Sequence, residues 1–170
     1  MYRLPNNLWG DFPQIGFDEE AIYIATNNFT FGGSGQYAKI RIISKAELYA
    51  SNAGRLDFKE IWNITVPTLV NAVFNIRPSF QYSPAGGHYF LFANRAGGNF
   101  YSIYKLVNPT TAPVLSGVNI NVPFYGQTPT ANQLGGGTPI ESGGSPIRNA
   151  PIFRDGYLFA THSIRNSIYP

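Results

Sequence analysis

Tyr23-Ile24-Ala25-Thr26-Asn27 returns as Phe90-Leu91-Phe92-Ala93-Asn94 and again as Leu158-Phe159-Ala160-Thr161-His162, at spacings of 67 and 68 residues. Each copy is a run of β-branched, aromatic and aliphatic residues ending on a polar side chain, the composition of a strand running into a loop. A second piece recurs in the same order, Asn63-Ile64-Thr65-Val66-Pro67 as Asn119-Ile120-Asn121-Val122-Pro123. Self-similarity at this period marks a repeat architecture.

Outward from the first copy, Phe12 to Phe17, the polar turn Asp18-Glu19-Glu20 and Ala21 to Phe29 read as a hairpin. Gly32-Gly33-Ser34-Gly35 leads into a strand over Tyr37 to Leu48, and Asn52-Ala53-Gly54 into another over Phe58 to Val66, where Pro67 must end the ladder. Lys45 to Ala53 holds helix formers but is short and cut by Asn52 and Gly54, so it reads as strand continuing into a turn. The second unit repeats the order with Ser79 to Tyr82, His88 to Asn94, Phe100 to Val107 and Val114 to Val122. Ile152-Phe153, Arg154-Asp155-Gly156 and Tyr157 to Ile164 supply a further hairpin.

These units predict an all-β chain, a β-propeller fragment of two four-stranded antiparallel blades plus the opening hairpin of a third. Blade one covers about 11–67 and blade two about 75–123, a long loop covers 124–147, and blade three starts over 148–170. A β-sandwich uses similar strands, but its halves need not resemble each other. Two and a half blades leave sheet edges and blade faces to be covered. The expected partners are therefore the remaining blades of a longer chain or other copies of this one. A start at Asp11-Phe12-Pro13 and an end at Tyr169-Pro170 favour the longer chain.

Composition agrees and excludes several classes. Hydrophobic residues make up 44% and charged residues 12%, the reverse of a disordered chain. The net charge of +3 comes from Lys and Arg spread singly, without the patch that phosphate neutralisation needs, so no nucleic-acid partner is expected. Cys is absent, which removes disulfides and thiolate chemistry. No apolar stretch approaches the roughly 18 residues of a membrane span, and Met1 to Gly10 lacks the regions of a signal peptide. The triplets at Asn28 and Asn63 fit the glycosylation pattern but arise often by chance.

Hairpin geometry selects the candidate site. The residue before the first strand and the residue ending the second lie at the same end. Asp11 is thus expected near Asn27, Arg77 near Asn94, and Arg148 near His162, six residues on one rim. On a functional reading this rim binds a small polar ligand or glycan, with arginine forks holding anionic or hydroxyl-rich groups. On a structural reading Asp11, Asn27, Asn94 and Arg148 satisfy backbone groups in turns.

An acid pair for glycoside hydrolysis would need Asp11 and Glu141. Asp18-Glu19-Glu20 and Asp155 fall in turns at the opposite end and are expected to solvate their loops. Neither histidine has a partner at triad or zinc spacing, so no metal and no cofactor is predicted, and His88 is expected to be exposed. The Gly-rich pieces at 32–35 and 135–137 lead into no helix and offer no phosphate cradle. Residues 126–145 form a long polar connection, expected to be disordered or packed over the blade, or to act as a ligand lid.

The stretch from Gly135-Gly136-Gly137-Thr138-Pro139 through Ser145-Pro146-Ile147-Arg148-Asn149-Ala150 and on through Phe153-Arg154-Asp155-Gly156-Tyr157-Leu158 to His162 resembles a segment of large, mostly uncharacterised bacterial secreted proteins with propeller domains. Asp11-Phe12-Pro13-Gln14-Ile15-Gly16-Phe17-Asp18, followed by Ala21-Ile22-Tyr23-Ile24, looks like the blade opening of the same group. The resemblance implies a propeller and an extracellular or cell-surface location, and carries no agreed activity. Phe159 stands where related members often have Trp. More distantly the layout is similar to sialidases, which read a substrate carboxylate with arginines from innermost strands. Arg77 and Arg148 fall near such places, but the Asp-box turn and a third arginine are missing. The expected function is a non-catalytic binding or scaffolding portion of an extracellular or surface propeller protein. The alternative is a fragment of a glycosidase-like, sialidase-type enzyme acting on glycans.

Overall fold

The computed structural model describes residues 8–50 and 56–165. The expected turn at Asn52-Ala53-Gly54 and the end of the last unit, 166–170, lie outside the described residues. The chain is all-β, in sheets built mainly of antiparallel strands. The first meander runs β1 (Leu8–Phe17), β2 (Ala21–Thr30), β3 (Gly35–Ser44) and β4 (Lys59–Trp62). The second sheet takes β5 (Arg77–Pro78), β7 (His88–Phe92), β8 (Gly97–Val107) and β9 (Val114–Gly126) in that order, and β6 (Phe80–Gln81) follows β5 directly in the chain. β10 (Ile152–Arg154) and β11 (Tyr157–Phe159) form the last hairpin.

Side-chain alternation decides which faces meet. On β2, Ala21, Tyr23, Ala25 and Asn27 are buried while Ile22, Ile24 and Thr26 are half-buried, as a strand with inequivalent faces requires. The buried face, with Ala38, Ile40 and Ile42 of β3, packs against Phe90, Phe92, Tyr104 and Leu106 of the second sheet. The far face of the second sheet carries Leu91 and Ala93, covered by Ile147 and Leu158 from the segment leading through the last hairpin. Each unit therefore buries one face against the next. The outer strand β4 is pinned by Glu60, whose Oε1 lies 2.9 Å from Lys39 Nζ and 2.7 Å from Arg41 Nη2. Burial opposes the Glu60 charge, but these two cations outweigh it and hold the carboxyl below its ordinary range.

The first strands of the three units converge. Phe80 of β6 pairs in parallel with Phe17 of β1 and with Ile152 of β10, so β6 lies between the leading strands of its neighbours. Phe17 N–H donates to Ser79 O at 3.1 Å, and Phe80 N–H to Pro151 O at 2.8 Å. Gly16 permits the first approach. A Cβ there would stand 2.5 Å from both Pro78 Cβ and Ser79 O, far inside van der Waals contact.

The repeated segments at 23–27, 90–94 and 158–162 begin on β2, β7 and β11, the second strand of each unit. The second recurring piece does not behave as a repeat. Asn119–Pro123 lies within β9, whereas 63–67 follows β4 as an irregular segment with one bridge, Thr65 to Ala72. The expected strand over 37–48 ends at Ser44, and Lys45–Tyr49 forms a helical turn. Local propensity wins there because β2 pairs with β3 only as far as Ser44 and β4 only as far as Ile42, so the chain beyond Ser44 has no ladder partner.

Substituting Gly16 with Ala should destabilise the fold by about 1–3 kcal/mol, the usual cost of overpacking. A lowered urea midpoint with an unchanged slope is the expected result. An unaltered midpoint would mean that β1 and β5 do not approach this closely.

Candidate functional site

At one end of the first hairpin the ladder is broken by design of sequence. Asp11 pairs with Asn27 and Gln14 with Ala25, so β1 carries one extra residue opposite Thr26, a β-bulge. Pro13 has no N–H to give to the ladder, and Phe12 takes φ 55°, a left-handed conformation that an aromatic residue adopts only under constraint. The Asp11 carboxylate holds that conformation by accepting the Phe12 N–H at 2.7 Å. The Phe12 ring is thereby turned toward two arginines, with Arg77 Cζ 5.0 Å and Arg148 Cζ 5.6 Å from its centroid.

Beside this bulge opens a cleft of about 610 Å³ whose wall includes Asp11, Phe12, Asn27, Asn94, Arg95 and Arg148. Four of the six residues expected on the rim therefore share one concavity. Much of their hydrogen bonding is also structural. Asn27 donates to Asn75 Oδ1 and accepts the Asn75 N–H, both at 2.8 Å, which ties the first sheet to the chain entering the second. Asn94 Oδ1 accepts the Ala96 N–H at 3.1 Å, and an Arg148 N–H donates to Gly143 O.

The other two rim residues are placed differently. Arg77 is buried, 1% exposed, behind the Phe12 ring; its Nε donates to Ile147 O, and its Nη1 has no hydrogen-bond partner. Burial, and then the nearby Arg148 charge, pull the Arg77 guanidinium down to about 10. His162 does not line the cleft. It sits edge-on to Tyr101 and Tyr125, with Nε2 2.7 Å from Tyr101 Oη and Nδ1 2.8 Å from Ser145 O. Ser145 also links Thr128 and Gly126, so the long connection is tied at its base. Of the two acids considered as a catalytic pair, Asp11 lines the cleft. Glu141 is exposed, engaging Arg95 at 3.2 Å and accepting the Gly143 N–H at 2.8 Å.

The turns gather at the opposite end, where Asp18, Glu19 and Glu20 share a hollow of about 410 Å³ with Ser83 to Gly87, and Asp155 N–H donates to Ser83 Oγ at 2.7 Å. Here the structure corrects two expectations. His88 is not exposed but fully buried, stacked on the Tyr23 ring at 3.8 Å. Asp18 does not merely solvate its loop. Its Oδ1 accepts the N–H groups of Glu20 and Ala21 at 2.9 Å, and its Oδ2 accepts the Tyr23 hydroxyl at 2.6 Å. His88 Nδ1 lies 3.3 Å from Asp18 Oδ2, yet neither ring nitrogen makes an aligned hydrogen bond. The clue lay in strand alternation: His88 shares its parity with Phe90 and Phe92, both buried against the first sheet.

No family profile matches this chain, and neither does any curated protein or any solved structure. Among the described residues no group of three or more His, Cys, Asp and Glu side chains is placed to hold a metal ion. Among the described residues no helix is long and apolar enough to cross a membrane.

Burial lowers the His88 pKa below its ordinary 6.5, only partly offset by Asp18. Burial opposes the Asp18 charge too, but His88, the Tyr23 hydroxyl and the Ala21 N–H outweigh it and hold the carboxyl below 3.8. With both folded values depressed, the unfolded chain binds more protons on acidification. Stability should be full above pH 6.5 and fall as pH drops below it, with a second loss as pH falls below 3.8. Urea midpoints measured from pH 8 to 3 would show this, and His88→Phe should flatten the first decline. An identical decline in that variant would remove His88 as its source.

Proposed function

We propose that this chain is a portion of a β-propeller that serves in binding or scaffolding, with its ligand taken at the cleft beside Phe12. The observation that carries the architecture is the convergence of β1, β6 and β10 as parallel neighbours while each unit extends outward as an antiparallel meander. A propeller likewise brings the leading strands of four-stranded sheets together around a central channel. The outer face of the first sheet supports the same reading. Ile15 is 56% exposed there and Ile22, Ile24 and Ile43 are half-buried, an apolar patch beside the Lys39–Arg41–Glu60 cluster that a further blade could cover.

The binding role rests on the cleft's chemistry. It joins an aromatic ring, carboxamides, a carboxylate and guanidinium groups, a set that can stack on an apolar ring face while hydrogen-bonding polar groups at its edge. A secreted or cell-surface setting belongs to this proposal through the resemblance of the hairpin segments to exported propeller proteins.

Two measurements test it. Static light scattering on the 170-residue chain should give a mass above 18.7 kDa, since bare blade faces associate; a stable monomer that binds no hydrophobic dye would count against the propeller. On an array of neutral and acidic oligosaccharides, Arg148→Ala should abolish wild-type binding with little change in melting temperature, because the side chain is exposed. Arg77→Ala should instead cost about 1–3 kcal/mol of stability through its buried charged hydrogen bond. Wild-type protein that binds nothing on the array would remove the binding role.

A further inference from the structure

The long outer strand of the second sheet has an unguarded edge. β9 ends the order β5-β7-β8-β9, and among the described residues its backbone bonds away from β8 only at its last residue, where Gly126 O accepts the Arg165 N–H at 3.1 Å. In a strand paired on one side, alternate N–H and C=O groups point outward and form a template for another strand. Val114–Gly126 carries no Asp, Glu, Lys or Arg over its 13 residues, so the charges that usually protect an edge are missing. The other ends of the two sheets are closed or guarded. β4 has four residues and bears Lys59 and the ion-paired Glu60. β11 has three and follows Arg154-Asp155, while β5 lies against β1 through Pro78 and Gly16.

Side-chain direction adds an apolar row to this edge. Val118 pairs with Ile103 and Ile120 with Tyr101, so both stand on the face that the last hairpin covers. The cover reaches Leu91 and Ala93 but stops short of β9, leaving Val114, Val118 and Ile120 57%, 57% and 45% exposed. Pairing with β8 is regular over 114–121. Beyond that the register shifts, and Pro123 has no N–H to offer a further strand.

We infer that β9 is a self-association edge, pairing antiparallel with β9 of a second copy about a two-fold axis near Val118. The occupant follows from the other edges. β4 or β11 of another copy offers no ladder of matching length, whereas β9 itself does. A strand paired antiparallel with its own copy makes an isologous contact, which closes as a dimer. A charged edge would meet its own charge there, and like charges directly opposite are destabilising. β9 escapes this although the chain as a whole carries a net charge of +3. With Val118 beside its counterpart, Ser116 faces the second copy's Ile120 on the same side of the sheet, and the apolar row continues across the joint. This edge is separate from the bare blade faces and does not depend on the propeller.

The chain has no Cys, so one engineered thiol reports on the joint. Val118→Cys treated with a short bis-maleimide should give a covalent dimer on a denaturing gel, while Leu134→Cys, on a fully exposed loop, should not. In light scattering, Val118→Lys should halve the wild-type mass and keep the wild-type circular dichroism, since the position is exposed and the change sets two lysines side by side. Ile15→Lys, on the outer face of the first sheet, separates this edge from the blade faces. A mass that falls with Ile15→Lys and stays with Val118→Lys would overturn the edge and leave association to the faces. Equal cross-linking at both cysteines, or none at Val118→Cys, would overturn it too. A wild-type monomer would also overturn it, and dye binding then decides the propeller separately.

Discussion

The approach of β1 to the β5–β6 segment is the contact on which the rest of the structure depends. It is made by backbone: Phe17 N–H reaches Ser79 O at 3.1 Å, and Gly16 leaves no side chain in the gap to Pro78. A turn of chain brought this close fixes both the separation and the relative angle of the two sheets. The inward residues of β2 and β3 then meet those of β7 and β8, and the buried apolar layer forms between them. The same device recurs on the other side of β6, where Phe80 N–H donates to Pro151 O at 2.8 Å and positions the last hairpin. Hydrophobic burial supplies most of the driving force, but it is non-directional. The converging strands give it a geometry.

Two ends of unequal chemistry follow from that convergence. Hairpin turns collect at one end, where Asp18 serves at once as turn organiser, acceptor for Tyr23 and neighbour of the buried His88. Strand entries collect at the other, where the bulge at Phe12 opens the cleft and arginines outnumber free carboxylates. The acidic end is built inward, its one buried carboxylate used up in structural bonds. The basic end keeps exposed side chains around a concavity, which is why the proposed ligand is placed there.

Polar residues at the cleft do more than one thing. Asn27 and Asn94 meet backbone partners, as residues near turns do, and still form the cleft wall. A wall held by its own hydrogen bonds is pre-organised, so a ligand need not pay to order it. In the propeller we propose, such a wall at the rim of stacked blades combines rigidity with access. His162, which hairpin geometry places at the same end, is drawn off by Tyr101 and Ser145 because the third unit packs on the second sheet's far face.

Local pattern by itself determined the order of the hairpins and the equivalence of the segments beginning at Tyr23, Phe90 and Leu158, because period-two alternation and turn residues act over a few positions, but not the helical turn at Lys45–Tyr49 or the irregular segment after Trp62. It also brought Asp11 opposite Asn27, since a hairpin returns the chain to its starting end. Alternation even held the clue to His88, which lies in step with Phe90 and Phe92. Only the tertiary structure decided the rest. Whether Asp18 faces water or a histidine, and whether Arg77 reaches the cleft or lies behind Phe12, depends on which sheet face meets which neighbour. That choice is made by contacts between residues some 60 or 70 positions apart, such as Asp18 with His88 and Arg77 with Ile147, which no local rule of spacing contains.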